Sequence, residues 1–148
     1  MGNTCYTANL GDSRILLSSE GGSNVQSLTR DHKPKDEEEY RRIVAAGGKC
    51  YRSRSVMTRP GNEEATIGPL RISPGRLAVS RAFGDPHAKV STKGGNPNVL
   101  IAVPEIEEID ITDDHDFILM ATDGIFDKLQ NREVVNCAWN ILKKKSET

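Results

Sequence analysis

Residues 116–129, DFILMATDGIFDKL, run a mostly apolar stretch straight into an aspartate, a glycine and, four residues on, another aspartate. At the two-residue period of a strand, Phe117, Leu119 and Ala121 fall on one face and Ile118, Met120 and Thr122 on the other, so the pattern predicts a strand buried on both sides. Such a strand needs a layered core. The next segment, NREVVNCAWNILKKK, opens at Asn131 as a capping residue and places Val134, Val135, Ala138, Ile141 and Leu142 on one side of a helix. Its three closing lysines suit the negative end of the helix dipole. A strand covered by a second sheet on one face and by this helix on the other accounts for both patterns.

With 148 residues the chain has the size of one domain, and 20 Lys and Arg against 21 Asp and Glu leave no basic field for nucleic acid or an anionic membrane. No apolar stretch is long enough for a membrane span and no basic-then-apolar leader opens the chain, so it reads as intracellular, cytoplasmic or nuclear. Cys5, Cys50 and Cys137 are odd in number and widely spaced, which suggests neither a disulfide framework nor a zinc site. Tyr6 stands where the N-myristoylation pattern needs Ser or Thr, so Gly2 is not read as acylated.

Along the chain, TCYTANLGDSRILLSS reads as two strands around a tight turn at Gly11-Asp12, and NVQSLTR as a third. DEEEYRRIVAAGG then predicts a helix of about three turns, its acids complementing the dipole, Ile43 and Val44 near its apolar face and Gly47 its stop. Residues 50–76 lack sustained periodicity and are rich in Pro, Gly, Arg and Ser, which predicts a long surface loop. Its Arg52, Arg54 and Arg59 suit either a solvated basic loop or the steering of an anionic substrate.

A carboxylate at the end of a buried strand is costly unless it is protonated, hydrogen-bonded or bound to a cation, and Asp123 holds that place. Asp127, one helical turn on, can face the same site, and Asp12 sits in the first turn. Carboxylates from separate loops are oxygen ligands for hard cations such as Mg²⁺ or Mn²⁺. The histidines His32, His87 and His115 show no zinc spacing. On spacing alone, a metal site and the ordinary turn and capping uses of aspartate both stand.

ANLGDSR, LTRDHKP, RIVAAGG, GRLAVSRAFGD, VPEI and FILMATDGIFDKLQNREVV, in this order, closely resemble successive motifs of the metal-dependent serine/threonine protein phosphatases of type 2C, the PPM family. The resemblance implies an α+β fold, here a partial α-β-β-α sandwich of antiparallel sheets flanked by helices across residues 1–148. It implies Asp123 as a ligand of a catalytic Mg²⁺ or Mn²⁺, Asp12 and Asp127 at an additional weaker metal position, and residues 50–76 as the family's variable flap. The implied reaction is hydrolysis of phosphoserine and phosphothreonine in phosphoprotein substrates by a metal-activated water, with no protein nucleophile and hence no catalytic side chain assigned. Asp31, Asp85, Arg14 and Arg81 also match family motifs and are read as structural hydrogen-bonding or ion-pairing residues.

The resemblance covers nearly all of this chain and about the second half of the family domain. The family's DGHGG-type motif, its phosphate-binding arginine, the histidine proposed as its general acid and its later DN motif have no counterpart among these residues. With one catalytic-metal ligand among them, the 148 residues are expected to bind metal weakly and turn over little on their own. Self-association through uncovered sheet edges is also expected. The alternative function is a non-catalytic, phosphatase-derived binding module or regulatory fragment.

Overall fold

The computed structural model describes residues 2–59 and 62–146, with side chains described over 2–54 and 66–145. They divide into two compact units, one formed by residues 1–31 and 104–148 and the other by residues 32–103.

The first unit carries β1 (Thr4–Asn9), β2 (Arg14–Ser19), β3 (Asn24–Ser27), β6 (Glu105–Asp110) and β7 (His115–Ala121), a single helical turn α3 (Asp123–Phe126) and the long helix α4 (Asn131–Ser146). β1 and β2 are the strands expected around Gly11-Asp12, yet they do not form a hairpin. β1 pairs antiparallel with β6, and β2 pairs antiparallel with both β3 and β7. The four residues between β1 and β2 therefore cross from one sheet to another. Buried polar side chains tie the crossing down: Thr7 Oγ1 donates to the Leu28 carbonyl at 3.5 Å and Asn9 Nδ2 to the Arg30 carbonyl at 2.8 Å.

On one face of β2 and β7, Leu16, Phe117 and Leu119 pack with Val134, Val135 and Trp139 of α4. Full burial of an aliphatic side chain such as Leu16 or Val135 contributes about 1.5–3 kcal/mol. The other face of β7 departs from the expected double burial, with Ile118 and Met120 exposed, the latter at 73%. In α4 the apolar contact passes through Trp139, while Ile141 and Leu142 are exposed, so the predicted stripe is buried only in its first half. Asn131 is not the cap of α4: it is the first helical residue, and Glu133 reaches back to accept from the Gln130 N–H at 2.7 Å, half of a capping box.

Trp139 also pins the turn between β2 and β3. Its Nε1 donates to Ser18 Oγ at 3.1 Å, Ser18 Oγ donates to Asp116 at 2.9 Å, and the Gly21 and Gly22 N–H groups point at the same carboxylate. Desolvation works against that charge, but the Ser18 and backbone hydrogen bonds outweigh it and hold the Asp116 carboxyl below its ordinary value. Gly22 has φ of 85°, and a Cβ there would stand 2.5 Å from Trp139 Nε1. Gly22→Ala is expected to cost about 2 kcal/mol, through left-handed backbone strain and the clash with a rigid indole. Denaturant unfolding followed by Trp139, the single tryptophan, measures it.

The second unit holds α1 (Glu37–Ala45), the ribbon of β4 (Lys49–Arg59) and β5 (Asn62–Ser73), and the short helix α2 (Pro86–Lys89) followed by a 3₁₀ turn at Ser91–Lys93. α1 forms where its signals place it: Asp36 accepts from the Glu38 and Glu39 N–H groups, and Gly47 follows the end with φ of 79°. Ile43 is buried with Ile72, Ala88, Val99 and Leu100, while Val44 is exposed.

The loop expected over 50–76 is instead mostly a two-stranded antiparallel ribbon, paired from Lys49↔Ser73 to Arg59↔Asn62. Its pattern is illegible because the described ribbon side chains away from its root are largely exposed on both faces, so no apolar alternation marks a buried side. Gly68 and Pro69, which read as breakers, fall at a bulge opposite Ser53, where a strand tolerates both. Arg59 lies outside the described side chains.

Candidate functional site

In the first unit the β2–β7 ladder ends on the pair Arg14↔Ala121. Two residues beyond that rung on one strand stands Asp12, and two beyond it on the other stands Asp123. The register therefore brings these two acids, 111 positions apart in the numbering of the sequence, to one end of the sheet. The β1–β6 ladder ends beside them at Asn9↔Glu105, where Asn9 Nδ2 also donates to the Gly11 carbonyl at 3.3 Å and braces the turn that carries Asp12. Asp123 opens α3, and Asp127 closes it by donating its N–H to the Asp123 carbonyl at 2.8 Å. Asp12 is half-buried, while Asp123 and Asp127 are exposed.

Arg14 organises this end of the unit. Its Nε and Nη2 donate to the two oxygens of Asp31 at 2.9 and 2.7 Å, its Nη1 donates to Asn131 Oδ1 at 2.5 Å, and its guanidinium lies 4.6 Å from the centre of the Phe126 ring. The Asp31 hydrogen bonds, with the charges of Asp31 and Asp127, outweigh desolvation and raise the pKa of this already permanent cation. One side chain thus ties β2 to the chain after β3, to α3 and to the start of α4. A cavity of about 600 Å³ beside it takes in Asp127, Lys128 and Arg132 but neither Asp12 nor Asp123.

The three acids do not by themselves make a metal cage. Among the described residues no group of three or more His, Cys, Asp or Glu side chains stands close enough to hold an ion. Hard cations ask for several oxygen ligands at once, and the two exposed acids of a one-turn helix supply too few.

The second unit holds the other matched motifs. Glu39, read as a dipole complement, is buried to 1% exposure and accepts from Arg81 Nε and Nη2 at 3.1 and 2.7 Å and from Arg42 Nη2 at 2.9 Å. Further guanidinium N–H groups go to backbone carbonyls, Arg42 Nη1 and Nη2 to Ser80, Asn98 and Val99 and Arg81 Nη1 to Val103, while the buried Arg42 Nε has no hydrogen-bond partner among the described residues. Burial pushes the Glu39 carboxyl up, but the hydrogen bonds from Arg81 and Arg42 and the Arg42 charge prevail and bring its pKa down to about 2. Arg14, Asp31 and Arg81 form ion pairs, the contacts expected of them. Asp85 is exposed at the start of α2 and its side chain makes no capping hydrogen bond.

Sequence reasoning missed Glu39, Asn131 and Phe126 in these roles. Glu39 lies within an EEE run in which all three acids look alike, and only the Ile43 spacing marks the inward one.

The model of the family Protein phosphatase 2C matches residues 1–148. The chain is 36% identical over 148 residues to the probable protein phosphatase 2C 72 of Arabidopsis thaliana, covering 98% of itself and 41% of that protein. It is 36% identical to the protein phosphatase 2C homolog 3 of Schizosaccharomyces pombe, over 91% of itself and 28% of that protein. Among solved structures it resembles a serine-threonine phosphatase 2C from Toxoplasma gondii, with a TM-score of 0.70 and 25% identity, over 98% of this chain and 45% of that one. The chain thus spans about a quarter to two fifths of the length of the curated relatives it matches. Its ordered motifs, antiparallel sheets and full-length family match together make this chain a member of the protein phosphatase 2C family, whose proteins are metal-dependent serine/threonine phosphatases.

Proposed function

We propose that the chain is part of a protein that hydrolyses phosphoserine and phosphothreonine in phosphoproteins, with Asp123 contributing to a catalytic metal position and Asp12 and Asp127 to a weaker one. The observation that carries this reading is the β2–β7 register, which supports a shared role for Asp12 and Asp123 at one sheet end. Mg²⁺ or Mn²⁺ is the cation this reading assigns, from the all-oxygen character of the three acids. Since the described residues form no three-ligand group, further ligands must come from elsewhere. The three cysteines, all free thiols, support a cytoplasmic or nuclear setting.

Phosphate release from a phosphothreonine peptide in Mn²⁺ or Mg²⁺ tests the reading. The 148 residues alone are expected to show weak or no turnover. In a protein carrying the whole family domain around them, Asp123→Asn is expected to lower metal-dependent turnover roughly 100-fold or more. Undiminished turnover in that variant would overturn the assignment of Asp123. The lack of a three-ligand group also favours a second reading, a non-catalytic binding module or regulatory fragment, which phosphopeptide binding without hydrolysis in the longer protein would support.

Self-association belongs to the same proposal. Tyr6 and Ile106 of the β1–β6 sheet are 66% and 63% exposed, and Met120 of β7 is bare as well. Sedimentation is expected to show association that grows with concentration and weakens in Ile106→Lys; a concentration-independent monomer would contradict it.

A further inference from the structure

Near the root of the β4–β5 ribbon, residues 49–54 and 66–76 carry Lys49, Arg52, Arg54, Arg71 and Arg76 and no Asp or Glu, in a chain whose net charge is −1. Tyr51 and Arg71 are paired across the two strands, and with Ser53 and Arg76 they line a cavity of about 400 Å³. Arg71 Nη1 donates to the Arg76 carbonyl at 2.8 Å, so one guanidinium is held against the backbone of the residue that supplies the other. Among the described residues neither guanidinium forms an ion pair.

Arg76 carries a further mark. Its φ of 61° is left-handed, where a glycine would sit without strain, and its N–H donates to the Ile72 carbonyl at 2.9 Å. A strained arginine there, beside a second arginine with no carboxylate between them, costs stability through backbone strain and like-charge repulsion. The repulsion is offset when an anion enters, while the strain remains.

We infer that the cavity formed by Tyr51, Ser53, Arg71 and Arg76 is an oxyanion subsite that receives an anionic side-chain group, phosphoryl or carboxylate, from a bound protein segment. Two guanidinium forks supply charge-assisted donors, and the Ser53 hydroxyl and Tyr51 phenol add neutral ones. Oxygens on one phosphorus or one carboxyl carbon match that arrangement. If the segment is a phosphatase substrate, the subsite selects substrates with a second anionic group; only this link to substrates rests on the function proposed above.

Fluorescence anisotropy tests it with three labelled peptides of one sequence, bearing phosphoserine, glutamate or glutamine at a single position, at low salt in EDTA. The chain is expected to bind the two anionic peptides and not the glutamine peptide. Arg76→Gly should weaken anionic binding roughly tenfold while melting no lower than the parent, because glycine relieves the left-handed strain. Arg41→Gln, which removes an exposed cation paired with Glu37, should change binding little. Tighter binding of the phosphoserine peptide identifies a phosphoryl ligand, and equal binding shows that a carboxylate suffices; both support the inference. Binding of the glutamine peptide as tight as the others, an equal loss in Arg41→Gln, or no peptide binding at all would overturn it. Asp123→Asn should leave binding unchanged, so a failed hydrolysis assay and a failed binding assay are separate results.

Discussion

Replacing Glu39 with glutamine is expected to cost about 3 kcal/mol of folding stability at neutral pH, because it leaves two desolvated guanidinium groups facing an amide. The side chain is almost fully buried between Arg42 and Arg81, so solvent screening takes little from the effect. The pH dependence follows from the depressed carboxyl. Its ordinary value is 4.5 and its folded value about 2, so the stabilisation is complete above about pH 5 and is lost as pH falls from about 4.5 to about 2. Each unit of that difference is worth about 1.4 kcal/mol, which agrees in order of magnitude with the cost of the substitution. Urea unfolding of the parent and Glu39→Gln across this range measures it. A gap between the two chains that stays constant down to pH 2 would show that the carboxylate charge contributes nothing. The Asp116 carboxyl, also held low, acts with the same sign and steepens the acid loss.

Arg14→Met is expected to remove about 2–4 kcal/mol from the first unit, since the salt bridge to Asp31, the hydrogen bond to Asn131 and the contact with Phe126 all go at once. Arg14→Lys should recover less than half of the loss, because an ammonium cannot bridge both Asp31 oxygens and Asn131 in the plane of a fork. Trp139 sits on α4, the helix whose first turn Arg14 holds, so its fluorescence during denaturant unfolding reports the change. Full recovery by lysine would mean that charge alone matters here. In a catalytically active longer protein, Arg14→Met should also reduce turnover, since the positions of Asp123 and Asp127 depend on α3 staying in place.

Local interactions made part of the fold legible. Asp36, Gly47 and the acidic first turn act within a few residues of themselves, and so α1 starts and stops where they place it. Strands β1, β2, β3 and β7 were visible too, because β-branched and apolar residues at short range mark a strand whatever it pairs with. Pairing partners were not visible. The Gly11-Asp12 turn looks like a hairpin because hairpins and sheet-to-sheet corners use the same turn chemistry, and only the long-range ladders of β1 with β6 and β2 with β7 separate the two. The β4–β5 ribbon hid for the opposite reason, since exposure on both faces erases the alternation by which strands are recognised.

The sequence by itself determined the family, through six motifs whose order is more specific than any one of them, and it singled out Asp12, Asp123 and Asp127 as candidate acids. Tertiary structure alone decided that Asp12 and Asp123 share a sheet end, that Arg14 is the tie between β2, α3 and α4, and that Glu39 rather than its neighbours goes inside. Propensity, capping and alternation act over one or two turns of chain and are written in neighbouring residues. The burial of a charge depends on what arrives from 40 or more positions away, as Arg81 does at Glu39.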